Sequence, residues 1–86
     1  MSYRKIFWQE FSRLVEQHIE IYTVPQYGDY PYDQLTGFTP NEIRMNMKRY
    51  LNRSGRGQRG FEDELIDCFK MANYSGELWA KMKGIR

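Results

Sequence analysis

Phe38-Thr39-Pro40-Asn41-Glu42-Ile43-Arg44-Met45-Asn46-Met47-Lys48-Arg49-Tyr50-Leu51 carries the most complete helix-start signal in the chain. Thr39 is a good N-cap, Pro40 suits the first helical position, and Glu42 completes a Thr-x-x-Glu capping box. Phe38 before the cap and Ile43 four positions into the helix form a hydrophobic staple. The helix that starts here puts Ile43, Met47, Tyr50 and Leu51 on one face and is expected to span 40–52. Asn52 and the segment Arg53-Ser54-Gly55-Arg56-Gly57-Gln58-Arg59-Gly60 mark its end.

Before this start lies a second strong pattern. From Tyr3 to Tyr22, residues Phe7, Trp8, Phe11, Leu14, Val15, His18, Ile19, Ile21 and Tyr22 fall within one arc of roughly 160° at helical spacing. Polar and charged residues from Lys5 to Glu20 fill the opposite side, so an amphipathic helix over 3–22 is expected, with Phe11 and Leu14 in the core. Residues 23–39 hold two prolines, two glycines and three tyrosines, which stop any long helix. A loop this long needs anchoring, and Tyr27, Tyr30, Tyr32, Leu35 and Phe38 are expected to lie over the core. A single helical turn is expected at 31–36, closed by Gly37.

Beyond the glycine-rich linker, a third helix is expected over 61–73. Glu62, Asp63 and Glu64 sit in its first turn, where the macrodipole favours anions. Phe61, Leu65, Cys68, Phe69 and Ala72 share a face, read as buried, with Asn73 as the stop. A short fourth helix over 76–83 is capped by Ser75, turns Leu78, Trp79 and Met82 inward, and ends at Gly84 in a Schellman motif closed by Ile85. Strand-period alternation is absent. The pattern is an all-α single domain over 1–86, a small bundle of about four helices with a long aromatic-rich loop between the first and second.

Length limits what such a domain can do. Eighty-six residues bury roughly 60–65% of the surface of the unfolded chain, which leaves a slim stability margin. Fourteen aromatic side chains (seven Tyr, five Phe, two Trp) supply large units of apolar area. Cys68 is the only cysteine, so no internal disulfide forms, which favours a reducing compartment and a cytoplasmic location. No signal-peptide pattern opens the chain and no window is apolar enough to span a membrane.

The net charge of +2 conceals an asymmetry. Residues 1–42 hold three basic and six acidic side chains; residues 43–86 hold ten and five. Between Ile43 and Phe61 there are six cations and no acid: Arg44, Lys48, Arg49, Arg53, Arg56 and Arg59. Outward on a helix, such residues suit phosphate backbones, because arginine forks bidentately and each phosphate contact releases a counterion. The bland alternative is a solvated face whose arginines pair with Glu62, Asp63, Glu64 and Asp67, each pair worth about 0–1 kcal/mol.

The expected function is therefore non-enzymatic binding of a polyanion, most simply nucleic acid, by the cationic face and the Gly/Arg linker. The alternative is a small protein-interaction or regulatory module, monomeric or dimeric, that meets an acidic protein surface and uses Met45 and the Tyr-rich loop, Tyr27 and Tyr30. Gly55-Arg56-Gly57-Gln58-Arg59-Gly60 matches the dinucleotide string G-x-G-x-x-G, yet it follows a helix instead of a strand and precedes three acids. A linker is the better reading, and no cofactor is expected. One histidine and one cysteine make no metal site. His18 reads as a core histidine hydrogen-bonded to a tyrosine hydroxyl or carbonyl, and Cys68 as a buried, unreactive thiol. Neither a carboxylate pair nor a Ser/His/Asp set appears, so no catalytic residues are expected.

Overall fold

The computed structural model describes residues 2–57 and 59–86; Gln58 of the linker string lies outside the described residues, as does Met1. It is all-helical, with no strand among the described residues. Helix α1 spans Tyr3–His18, and Ser2 caps it by accepting the Lys5 amide at 3.3 Å. The helix does not stop at residue 22. It widens into a π turn, Ile19–Thr23, and ends in one further α turn, Val24–Tyr27, so the rod passes through Pro25. Proline has no N–H for the carbonyl four residues back and its ring crowds that carbonyl. Here that carbonyl belongs to Ile21, inside the widened turn, which makes room for the ring. Gly28 terminates the rod with φ +89°. A Cβ there would also stand 3.3 Å from the Asp33 Cα and the Tyr32 carbonyl oxygen, so glycine is required.

The non-helical connection is consequently shorter than the expected loop and is anchored differently. Residues 29–37 form a series of turns with no helix at 31–36. Tyr27, Tyr30 and Tyr32 are exposed; only Leu35 and Phe38 are half-buried. Cations from the far end of the chain hold the segment. Arg86 pairs with Asp33 and Glu77 and lies 5.1 Å from the Tyr30 ring centroid, while Lys81 Nζ donates to the Thr36 carbonyl at 3.2 Å.

Helix α2, Pro40–Arg53, begins as its sequence dictates. The Thr39 hydroxyl accepts the Glu42 amide at 3.2 Å, and the Thr39 amide donates to Glu42 Oε1 at 3.3 Å. Ile43 and Tyr50, seven residues apart on one face, are the buried apolar side chains among the described residues.

Helix α3, Phe61–Met82, replaces the expected third and fourth helices, so the domain has three helices instead of four. Asn73, Ser75 and Gly76 do not interrupt it. Without a proline they cost about 2 kcal/mol together in propensity, less than orphaning the backbone groups of two extra helix ends. The expected ending is present: Ile85 N–H donates to the Ala80 carbonyl at 2.9 Å, Gly84 N–H to Lys81 at 3.1 Å, and Gly84 has φ +75°.

Helices α2 and α3 run antiparallel. Tyr50 stacks on Tyr74 with centroids 5.9 Å apart, Arg53 reaches Asp67, and Arg44 Nη2 donates to Met82 Sδ at 3.7 Å. Helix α1 crosses α3 at Phe69, whose ring lies 5.8 Å from Phe11 and 6.0 Å from His18. Phe11 and Leu14 are half-buried there, while Tyr3, Phe7 and Trp8 run past the crossing into solvent. The domain is small and compact, at the loose end for its length, with a radius of gyration of 13.8 Å against about 12 Å expected for this size.

Candidate functional site

Most of the face of α3 read as buried is outward; only Phe69, which meets Phe11 and His18, and the half-buried Ala72 and Leu78 turn partly inward. Phe61 is 71% exposed, Leu65 41%, Trp79 58% and Met82 66%; Cys68, Ser75 and Gly76 are exposed and Ala72 half-buried. The residues do share a face, as their spacing requires, but the helix is rotated so that its polar side turns inward. Asp67 accounts for the rotation: it is the buried polar residue of α3, 2% exposed, and it receives two arginines. Arg53 donates bidentately to it, Nε to Oδ2 at 2.9 Å and Nη2 to Oδ1 at 2.7 Å, and Arg59 Nη1 donates to Oδ2 at 2.7 Å. Burial alone would raise the Asp67 pKa, but the two guanidinium groups outweigh it and hold the carboxyl below its ordinary range.

The six cations singled out in the sequence therefore divide. Arg53 and Arg59 are committed to Asp67. Arg44 donates to Asn41 Oδ1 at 2.8 Å, Arg56 Nε donates to the Asn52 carbonyl at 2.7 Å, and Arg49 lies 5.3 Å from the Tyr50 ring centroid. These three and Lys48 are exposed. A shallow groove on the outer surface of α2 is lined by Met45, Lys48, Arg49, Asn52, Arg53 and Arg56. Of the four acids that might have met the arginines, Asp67 takes two, and Glu64 instead accepts the Gly55 amide at 2.7 Å.

Sequence reasoning missed a cavity of about 480 Å³ between the π turn, the 28–38 segment and the inner side of α3. His18, Tyr22, Tyr27, Asp33, Lys70, Tyr74 and Glu77 are among its walls. The signal for it was a second regularity on α3: Asp63, Lys70, Tyr74 and Glu77 fall on one side at helical spacing. His18 is half-buried between the rings of Tyr22, at 5.2 Å, and Phe69, and its pKa is lowered by burial and by Lys70. Burial pushes the Tyr74 hydroxyl up to about 12. Met45 belongs to the groove and Tyr27 to the cavity, so those two alternative contact residues lie in different places. Tyr30 is exposed under Arg86.

Among the described residues no cluster of three or more His, Cys, Asp or Glu could hold a metal ion, and no helix is long and apolar enough to cross a membrane. No known protein family, curated protein or solved structure matches this chain.

Proposed function

We propose that this domain is a protein-interaction module whose contact surface is the outward apolar face of α3. One observation carries the reading. Among the described residues only Ile43 and Tyr50 are buried apolar side chains, while Phe61, Leu65, Trp79 and Met82 stand exposed along a single helix face. Large apolar patches of this kind mark contact surfaces, because a small domain gains little by leaving aromatic area in water. An aromatic relay broadens the surface: Trp8 lies 5.8 Å from Phe11, and Phe11 the same distance from Phe69, beside Cys68. The test is binding of a solvatochromic dye such as anilinonaphthalene sulfonate to dilute, cooperatively folded protein. Strong dye fluorescence that falls on Phe61→Ser and Trp79→Ser is expected. A folded chain that leaves the dye dark would overturn the reading.

A second reading rests on the α2 groove, where Lys48, Arg49 and Arg56, with Arg44 one turn away, present positive charge and no carboxylate. Polyanion binding there predicts a log–log salt slope near −0.9 per phosphate neutralised on duplex DNA, flattened by about one unit for each Arg→Ala change. Retention on neither DNA, RNA nor heparin at low salt would remove it. In both readings the chain works by binding, without catalysis.

A further inference from the structure

The outward face of α3 is matched to itself. Its apolar and small residues fall at 61, 65, 68, 72, 75, 79 and 82, alternating steps of four and three, which is the spacing of a straight seam for a partner helix. Their sizes read almost the same from both ends. Phe61 and Leu65 are large, Cys68, Ala72 and Ser75 are small, and Trp79 and Met82 are large again. Small residues at the midpoint let two helices approach closely, with bulky ones closing over each end.

Charge follows the same symmetry with opposite sign. Glu62 is exposed at the start of the seam and Lys83 at its end, so their midpoint falls within one residue of Ala72, about which the size pattern is arranged. A parallel pair would set like charges against each other, whereas an antiparallel pair opposes each Glu62 to a lysine and also aligns the helix dipoles favourably.

We infer that α3 pairs antiparallel with α3 of a second copy of this chain, about a two-fold axis at Ala72, with Leu65 level with the partner's Trp79. The inference rests on the apolar face being a protein-contact surface and adds the identity of the partner. The contact is isologous, so one surface serves both copies and the assembly closes at two. The seam is a single pair of 22-residue helices about 33 Å long, and the dimer it forms is a reversible one, expected at roughly micromolar dissociation constant.

Sedimentation equilibrium on the full chain from about 1 to 100 µM tests it, with the charges as the lever. The wild type should move from 10.4 kDa towards twice that mass over this range. Ala72→Glu should leave it monomeric with unchanged far-UV circular dichroism. Glu62→Lys and Lys83→Glu, which leave the seam itself intact, should each weaken pairing about three- to tenfold, since each symmetric dimer has two such contacts. Combining the two changes should restore wild-type affinity. Failure of the double variant to recover would overturn antiparallel self-pairing, and so would a wild type monomeric at 100 µM. A monomer that still binds the apolar dye when dilute keeps the protein-contact reading while rejecting the second copy as the partner; a folded monomer that binds no dye rejects both.

Discussion

The two sides of α3 are held in the fold by different physics. Its inner side meets the domain through groups of fixed geometry: Asp67 under Arg53 and Arg59, Tyr74 on Tyr50, and Glu77 with Arg86. Its outer side carries Phe61, Trp79 and Met82, which stay mostly exposed in the isolated domain. Hydrogen-bonded ion pairs specify an orientation sharply because they tolerate little displacement, whereas apolar burial is strong but non-directional. The helix is oriented by its polar side, and its hydrophobic free energy remains for a contact made later.

Asp67→Ala should break that arrangement most severely, because it frees two guanidinium groups from the acid that orients the helix. Broken buried pairs cost about 3–5 kcal/mol. The arginines here are about a third exposed, so the lower end of that range is expected from a denaturant midpoint. Ile43→Ala removes the side chain sealed completely between the helices and should cost about 2–5 kcal/mol by the same measurement. The inner side also sets the pH response. Asp67 and Asp33 both have folded pKa values below the ordinary 3.8 despite burial that acts the other way, Asp67 because of Arg53 and Arg59, and Asp33 because of the Thr36 hydroxyl and Arg86. Their contribution is present above that pH and is lost as pH falls through the folded values. At the alkaline end, Tyr74 titrates near 12 when folded and near 10 when unfolded, so its contribution is complete below pH 10 and disappears towards 12. Thermal melts across pH should narrow from both ends, and Tyr74→Phe should soften the alkaline loss.

Smaller effects sharpen the contrast. Thr39→Ala removes a cap remote from the outer side of α3 and should cost about 0.5–2 kcal/mol. Phe61→Ser, at the head of the outward stripe, should change the stability of dilute protein by no more than about 0.5 kcal/mol. Equal costs for Phe61→Ser and Ile43→Ala in dilute protein would mean that the outer side is packed after all.

The helix ends were the most legible part of the sequence, because they are local chemistry. The Thr39–Glu42 box, the acids after Gly60 and the Gly84–Ile85 ending depend on neighbours within a few residues. Pro25 misled because the cost of a proline inside a helix is set by the turn before it, and a π turn removes most of that cost. Asn73 and Ser75 misled because good caps remain only modestly poor helix residues. Periodicity correctly grouped Phe61, Leu65, Cys68 and Ala72, but it reports which residues share a face and is silent on where the face points. Direction followed from a tertiary pairing, Asp67 with Arg53 and Arg59 across a linker, which sequence spacing does not encode. The same pairing removes two of the six cations from the candidate polyanion surface and leaves Arg44, Lys48, Arg49 and Arg56 outward.

Cys68 gives the most direct test of the inverted helix, since it is the only cysteine and stands in the middle of the stripe. The measurement is the rate of its reaction with a chromogenic disulfide reagent, compared between folded protein at sub-micromolar concentration and the urea-unfolded chain. An outward stripe predicts labelling of the dilute folded protein within about tenfold of the unfolded rate, slowing as concentration rises and copies pair. A folded, dilute protein whose thiol reacts only as fast as the domain globally unfolds would place Cys68 inside, and would contradict the account.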